Sequence, residues 1–285
     1  MKRILDADYV GNIIGQRKRE CNKGDNGKGL LVAGSLGLTG AALMAAAAAL
    51  RAGIGTLRVL CPEAVRPALY VLPEAMVTSF NGESWSECDA ELINGMINNC
   101  TCIGIGPGIG RDNGVVRLLR MIVESDKPVV IDADGLNMLA QTSGIALHKN
   151  VILTPHPGEM SRLTGKNIEQ IVEHPAEVAM EYAALKGCTV LLKGATSVIA
   201  APDGNIMHNV SGNPGLAKGG SGDVLTGIVL ALLGQKLNSF DAACAGAFLL
   251  GCSANTALRL LGERMLMARD VVDAVQATVS CLDII

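Results

Sequence analysis

The residues best equipped for chemistry gather in a few short polar stretches of the 285-residue chain. The most informative is Lys218-Gly219-Gly220-Ser221-Gly222-Asp223, which runs straight into the apolar stretch VLTGIVLALLG. Glycines ahead of a helix let several backbone N–H groups point at one spot, and the helix dipole adds partial positive charge there. Such a cradle suits a phosphate or an oxyanion. Asp223, in the first helical turn, is placed to accept a proton from a hydroxyl or water attacking phosphorus. An ordinary turn with Asp223 capping the helix fits the same six residues equally well. The GxxxxGK[ST] pattern of Walker-type loops is absent.

Four further stretches carry polar groups where strands should end. Lys193-Gly194-Ala195-Thr196-Ser197 offers an ammonium, hydroxyls and amides suited to a nucleotide, or else forms a solvated hairpin turn. Thr154-Pro155-His156-Pro157-Gly158-Glu159 sets His156 and Glu159 three apart on one helix face, a pair able to hold a substrate and a hydrated Mg²⁺. Asp132-Ala133-Asp134-Gly135-Leu136-Asn137 presents two carboxylates and an amide, for which helix capping and ligand or metal contact are equally good readings. Gly104-Ile105-Gly106-Pro107-Gly108-Ile109-Gly110 lacks the GxGxxG spacing of dinucleotide folds, so it reads as backbone approaching a bulky ligand. Nearer the start, 34–42 is a run of small residues leading into an Ala-rich helix, with Thr39 as its expected N-cap. Polar 209–215 is expected to lie as a loop over the site.

Elements that would position these loops alternate along the chain. Apolar or β-rich runs at 29–33, 55–60, 75–78, 101–105, 128–131, 151–153, 189–192, 197–200 and 205–210 predict strands. Helical patterns fall at 39–52, 113–124, 133–140, 157–163, 168–186, 223–233, 239–260 and 268–281. Continuous apolar strands imply a parallel sheet covered on both faces, and the Asp203-Gly204 turn signal between two late strands predicts an antiparallel edge. A single α/β domain over 1–285 follows, a three-layer, doubly wound sheet whose ligands bind at the carboxyl ends of the strands.

Composition narrows the function classes. Net charge is −3 with both signs interspersed, which speaks against nucleic acid or an anionic membrane as partner. Aromatic residues make up only 2%, so Ala, Val, Leu, Ile and Met must build the core. Nine scattered cysteines without a CxxC pair predict reduced thiols in a cytoplasmic protein, with Cys100 and Cys102 on one face of a strand. The first 20 residues carry charges throughout and lack an apolar secretory core. Apolar 38–50 is too short to span a membrane, and 242–261 is interrupted by Ser253, Asn255 and Arg259. The surplus of apolar helix surface predicts burial against subunit neighbours, in a homotetramer.

Taken together, six segments in order resemble the NAD(P)H-hydrate dehydratase family, of ribokinase-like fold, standing alone without an epimerase domain. They are NKGDNGKGLLVAGSLGLTGAAL, GIGPGIGR, VIDADGLN, ILTPHPGEMSRL, VLLKGATSVIAAPDG and NPGLAKGGSGDVLTG. The resemblance implies dehydration of the S epimer of hydrated NADH or NADPH at the expense of ADP or ATP, with Mg²⁺. It also implies that Ala42, Gly108, His156 and Asp223 contact the hydrated cofactor. Lys193, Gly194, Ala195, Thr196 and Ser197, with Gly219, Gly220, Ser221 and Gly222, would hold the nucleotide. Glu159 would reach Mg²⁺ through water. A thiazole- or pyrimidine-alcohol kinase of the same fold is the alternative. One departure stands out: the family's His-Lys-Gly before the first strand is Asn22-Lys23-Gly24 here, which bears on nucleotide affinity if that position meets phosphate.

Overall fold

The computed structural model describes residues 2–17 and 19–283. Its elements run α1 (Ala7–Ile14), β1 (Lys28–Val32), α2 (Thr39–Arg51), β2 (Thr56–Pro62), β3 (Ala75–Phe80), α3 (Ala90–Asn99), β4 (Cys102–Ile105) and α4 (Asn113–Glu124). They continue with β5 (Val129–Ile131), α5 (Ala133–Gln141), β6 (Val151–Leu153), α6 (Pro157–Thr164), α7 (Ile168–Glu173) and α8 (Pro175–Lys186). Last come β7 (Thr189–Leu192), β8 (Ser197–Ala200), β9 (Ile206–Asn209), α9 (Ser221–Gly234), α10 (Ser239–Leu261) and α11 (Ala268–Asp283).

Among the described residues the nine strands join one sheet in the order β3-β2-β1-β4-β5-β6-β7-β8-β9. Pairing is parallel from β3 through β7 and antiparallel for β7–β8 and β8–β9, so the expected antiparallel edge is present. Strand side chains alternate between faces. Leu31, Val130, Ile152 and Leu191 pack under α1, α2, α9, α10 and α11. Their neighbours Leu30, Val129, Ile131, Val151 and Val190 pack under α3 to α8. The result is the three-layer architecture that the ribokinase-like resemblance implied.

The Ala-rich helix α2 lies along α9. A Cβ at Gly227 would overlap the Ala45 carbonyl oxygen, so glycine is what lets the two backbones meet. Helix α9 is buried from Val224 to Gly234, and α10 packs on it with α11 outside. The apolar surplus of these helices is therefore consumed within the chain. Large apolar side chains that do stay exposed include Ile168, Val172 and Leu185 on α7 and α8. Among the described residues no helix is long and apolar enough to cross a membrane.

Several local expectations need correction. The helix expected over 168–186 is two, because Pro175 starts α8 and cannot donate to the preceding turn. Leu38, not Thr39, occupies the cap of α2, without a side-chain bond. Cys100 ends α3 while Cys102 lies in β4, so they do not share a strand. All nine cysteines are free, six of them buried.

Candidate active site

The polar loops converge because β5, β6 and β7 end side by side and the start of α9 faces them. Between them lies a cleft of ≈ 990 Å³ lined by Asp132, His156, Glu159, residues 193–195, Ser197 and residues 219–223. Asn209 and residues 211–214 complete one wall, as expected of a loop over the site, against Ala247 and Leu250 of α10. Lys193-Gly194-Ala195-Thr196 is the turn of the β7–β8 hairpin, and Thr196 at its tip is exposed outside the cleft wall.

Gly220 caps α9 in the left-handed region, φ 95°, with no side chain closing the helix end. The first N–H groups of α9 therefore have no side-chain partner among the described residues, an arrangement that suits an anion. Asp223 makes no side-chain hydrogen bond to that end, so its role as an ordinary cap is not realised. Burial and the neighbouring Asp132 charge push its carboxyl up to about 7, against a smaller lowering by Lys193. Such a group changes protonation near neutral pH, which is what a proton acceptor needs.

Lys193 Nζ donates to Asp132 Oδ1 at 2.8 Å and lies 3.8 Å from Glu159 Oε2. Burial opposes its charge, yet Asp132 and Glu159 hold its ammonium above the usual lysine range. Asp132 is 1% exposed, and its second oxygen accepts from Thr226 Oγ1 at 2.9 Å. It sits at the cap position of α5 but makes no capping bond, so capping is not its role. The glycine run after β4 explains why the loop can sit so close. A Cβ at Gly106 (φ 126°) would overlap the Asp132 carbonyl oxygen, so this approach is to backbone.

His156 and Glu159 form a reciprocal capping box at the start of α6. His156 Nδ1 accepts from the Gly158 and Glu159 amides, and Glu159 Oε2 accepts from the His156 N–H at 2.8 Å. Burial, then Lys193 and Arg162, pull the His156 pKa down, so the ring is neutral at pH 7 with its proton on Nε2. That N–H faces Glu159 Oε1 at 3.5 Å and the cleft. Burial pushes the Glu159 carboxyl up.

Two expected contacts lie apart from this cleft wall. Ala42 is fully buried on α2 beneath the 34–38 loop, and Gly108 packs against Leu38 and Ala41, with its carbonyl accepting from Ser35 Oγ. Asn22 is farther still. Its side chain accepts from the Gly24 amide in a turn before β1, at the amino ends of the strands. Thr226 was not singled out by the sequence, since a lone threonine in an apolar helix gives no signal until its partner is known.

Among the described residues no three His, Cys, Asp or Glu side chains form a metal-holding group. Asp132 is committed to Lys193 and Thr226, and Glu159 to its capping box. These donors fit a Mg²⁺ carried by nucleotide phosphates and touched through water, not an ion caged by protein.

The model of the NAD(P)H-hydrate dehydratase family matches residues 29–277. An ADP-dependent (S)-NAD(P)H-hydrate dehydratase from Neisseria meningitidis serogroup B is 39% identical over 249 residues, covering 86% of this chain and 81% of that protein. A bifunctional NAD(P)H-hydrate repair enzyme from Moorella thermoacetica is 39% identical over 279 residues, 95% of this chain and 53% of that one. The chain thus spans about half the length of the bifunctional relatives it matches. The crystal structure of ADP/ATP-dependent NAD(P)H-hydrate dehydratase from Bacillus subtilis, co-crystallized with ATP and Mg²⁺, matches with a TM-score of 0.88, 31% identity and 99% coverage of both chains. On sequence and on fold, this chain belongs to the NAD(P)H-hydrate dehydratase family.

Proposed function

We propose that this chain dehydrates the S epimer of hydrated NADH or NADPH, using ADP or ATP and releasing AMP or ADP with phosphate. The observation that carries this reading is Asp223 beside the uncapped amides of α9, in the cleft that Lys193 also lines. Hydroxide is a poor leaving group and phosphate a good one, so a phosphoryl-transfer site serves a dehydration. Asp223 accepts the proton of the substrate hydroxyl as its oxygen attacks the terminal phosphoryl group. Amides of residues 219–222 stabilise the charge on the transferred group, and Lys193, Gly194, Ala195 and Ser197 hold the nucleotide. Phosphate then leaves with the C–O bonding pair while the ring loses a proton, which restores the dihydronicotinamide double bond.

The neutral His156 ring, with Nε2–H at the cleft, supports contact with the hydrated cofactor. Glu159 reaches Mg²⁺ only through water in this reading, and Ala42 and Gly108 contribute where the cofactor extends beyond the cleft. Residues 1–285 act as one domain, a reading that the single nine-stranded sheet supports. The nine free cysteines support a cytoplasmic location. The exposed apolar residues of α7 and α8 support association into a homotetramer, which light scattering tests.

Incubation with ADP and hydrated NADH should return the absorbance of reduced nicotinamide. A flat signal together with phosphorylation of a thiazole or pyrimidine alcohol would make the chain a kinase instead.

A further inference from the structure

Three carboxylates, Asp132, Glu159 and Asp223, share this cleft with two lysines, of which Lys193 meets the carboxylates while Lys218 turns its ammonium to the Arg264 carbonyl. Asp132 takes the Lys193 ammonium directly and Glu159 stands 3.8 Å away, while Asp223 has no side-chain hydrogen bond among the described contacts. Asp132 also has the least freedom of the three. One oxygen is bound by Lys193 and the other by Thr226, one turn beyond Gly222 and Asp223 on α9. A Cβ built at Gly222 would lie 3.3 Å from Asp132 Oδ2, so this carboxylate sits against the very turn that carries Asp223.

The backbone is shaped to put it there. Ala133, the next residue, has φ 49°, a left-handed conformation that residues with a Cβ rarely adopt. With its capping bond forgone, the Asp132 side chain crosses instead to β7 and α9. Strain held beside a cleft is a common mark of a shaped functional group.

We propose that Asp132 is a positioning residue. Clamped between Lys193 and Thr226, it presents a fixed negative charge to Asp223 and thereby sets the pH at which Asp223 can accept a proton. The idea rests on the reading of Asp223 as the proton acceptor. Other charges around the pair are few. From α6 come Glu159 and the neutral His156, while Arg162 is held by Asn137. Asp134 of α5 is paired with Arg111. Lys218 turns its ammonium onto the Arg264 carbonyl, and Asp270 of α11 accepts from the Met267 amide. Helix α2 carries no charged residue between Thr39 and Leu50, and α10 carries none between Ala242 and Leu258.

The test compares kcat/KM against pH for the wild type and Asp132→Asn, whose amide can still meet Thr226. The acid limb should move down by about one pH unit or more, the size expected when one close charge is removed. Asp132→Ser serves if the asparagine variant does not fold. In the wild type labelled with ¹³C at aspartate carboxyls, the Asp223 signal, identified by its loss in Asp223→Asn, should titrate near neutrality, and the Asp132 signal should shift in the same step. A lowered rate with an unmoved acid limb would reduce Asp132 to a structural part, as would an Asp223 signal that titrates in the ordinary aspartate range. If the wild type shows no turnover, the functional reading fails, and the carboxyl titration still decides whether the two groups are coupled.

Discussion

Thr226 Oγ1 donates to Asp132 Oδ2 at 2.9 Å, and this bond ties the end of β5 to the first turns of α9 across 94 residues of sequence. With Lys193 on the other oxygen, three elements meet at one buried carboxylate. The end of β5, the β7–β8 turn and the first turns of α9 are therefore coupled through Asp132.

Lys193→Met should destabilise the protein before any question of activity arises. It would leave the Asp132 charge buried with only Thr226 as partner, and removing one member of a buried pair costs about 3 kcal/mol or more. A urea midpoint at pH 8 should fall accordingly, and fall less when the same change is made in an Asp132→Asn background. An unchanged midpoint would mean that the pair contributes nothing to folding.

Asp223→Asn should retain nucleotide and lose turnover. The amide keeps the shape of the first turn of α9 but cannot take a proton, and loss of a general base commonly lowers rates by about 10²–10⁴-fold. Calorimetric titration with ADP beside a single-turnover assay separates the two effects. Loss of binding with the rate intact for bound substrate would assign Asp223 to the nucleotide instead.

Much of this was legible in the sequence, for identifiable reasons. The central strands β4, β5 and β6 are uninterrupted apolar runs because both their faces are buried, whereas β2 and β3 toward the edge keep Arg58, Thr78 and Ser79 and read as strands from their β-branched residues. Helix α3, AELINGMINN, went unread because its asparagines and glycine disfavour a helix that Asp89 and tertiary packing nonetheless stabilise. The loops of the site were found because glycine, proline and carboxylates cluster after strands. Their division of labour was not. An aspartate after a strand suits capping and ligand contact alike, and only partners 61 and 94 residues away decide for Asp132.

Protonation of Asp223 has a consequence for stability with a definite sign. Its carboxyl is raised from 3.8 to about 7 in the folded protein, mainly by burial and then by the Asp132 charge. Between those values the folded state holds a proton that the unfolded chain has released. The contribution of this group is thus fully present below about pH 4 and is lost as pH rises through 7. Asp223→Asn removes the loss, so its Tm advantage over the wild type should be larger at pH 8 than at pH 5. An equal difference at both values would show that Asp223 titrates normally.

Gly222→Ala should weaken nucleotide handling while leaving the fold intact. The new methyl would sit 3.3 Å from Asp132 Oδ2 and 3.4 Å from Lys193 Nζ, tight enough to shift both by tenths of an ångström. The loss in kcat/KM should stay below the ~10²-fold that a 1 Å misplacement can cost. A wild-type KM for ADP would mean that this turn does not touch the nucleotide.

Asn22 offers the sharpest contrast between motif and place. Its residue type departs from the family's histidine, which raised the question of a missing phosphate contact. In the structure it shapes a turn before β1, with its side chain on the Gly24 amide and its own N–H on Asp25 Oδ2. Strand β1 separates that turn from the cleft, which opens at the opposite ends of the parallel strands. Asn22→His should therefore leave the KM for ADP unchanged, and any effect should appear as a small change in Tm through the local turn. A marked tightening of ADP binding by the histidine would require the amino-terminal segment to fold over the cleft and contact phosphate directly.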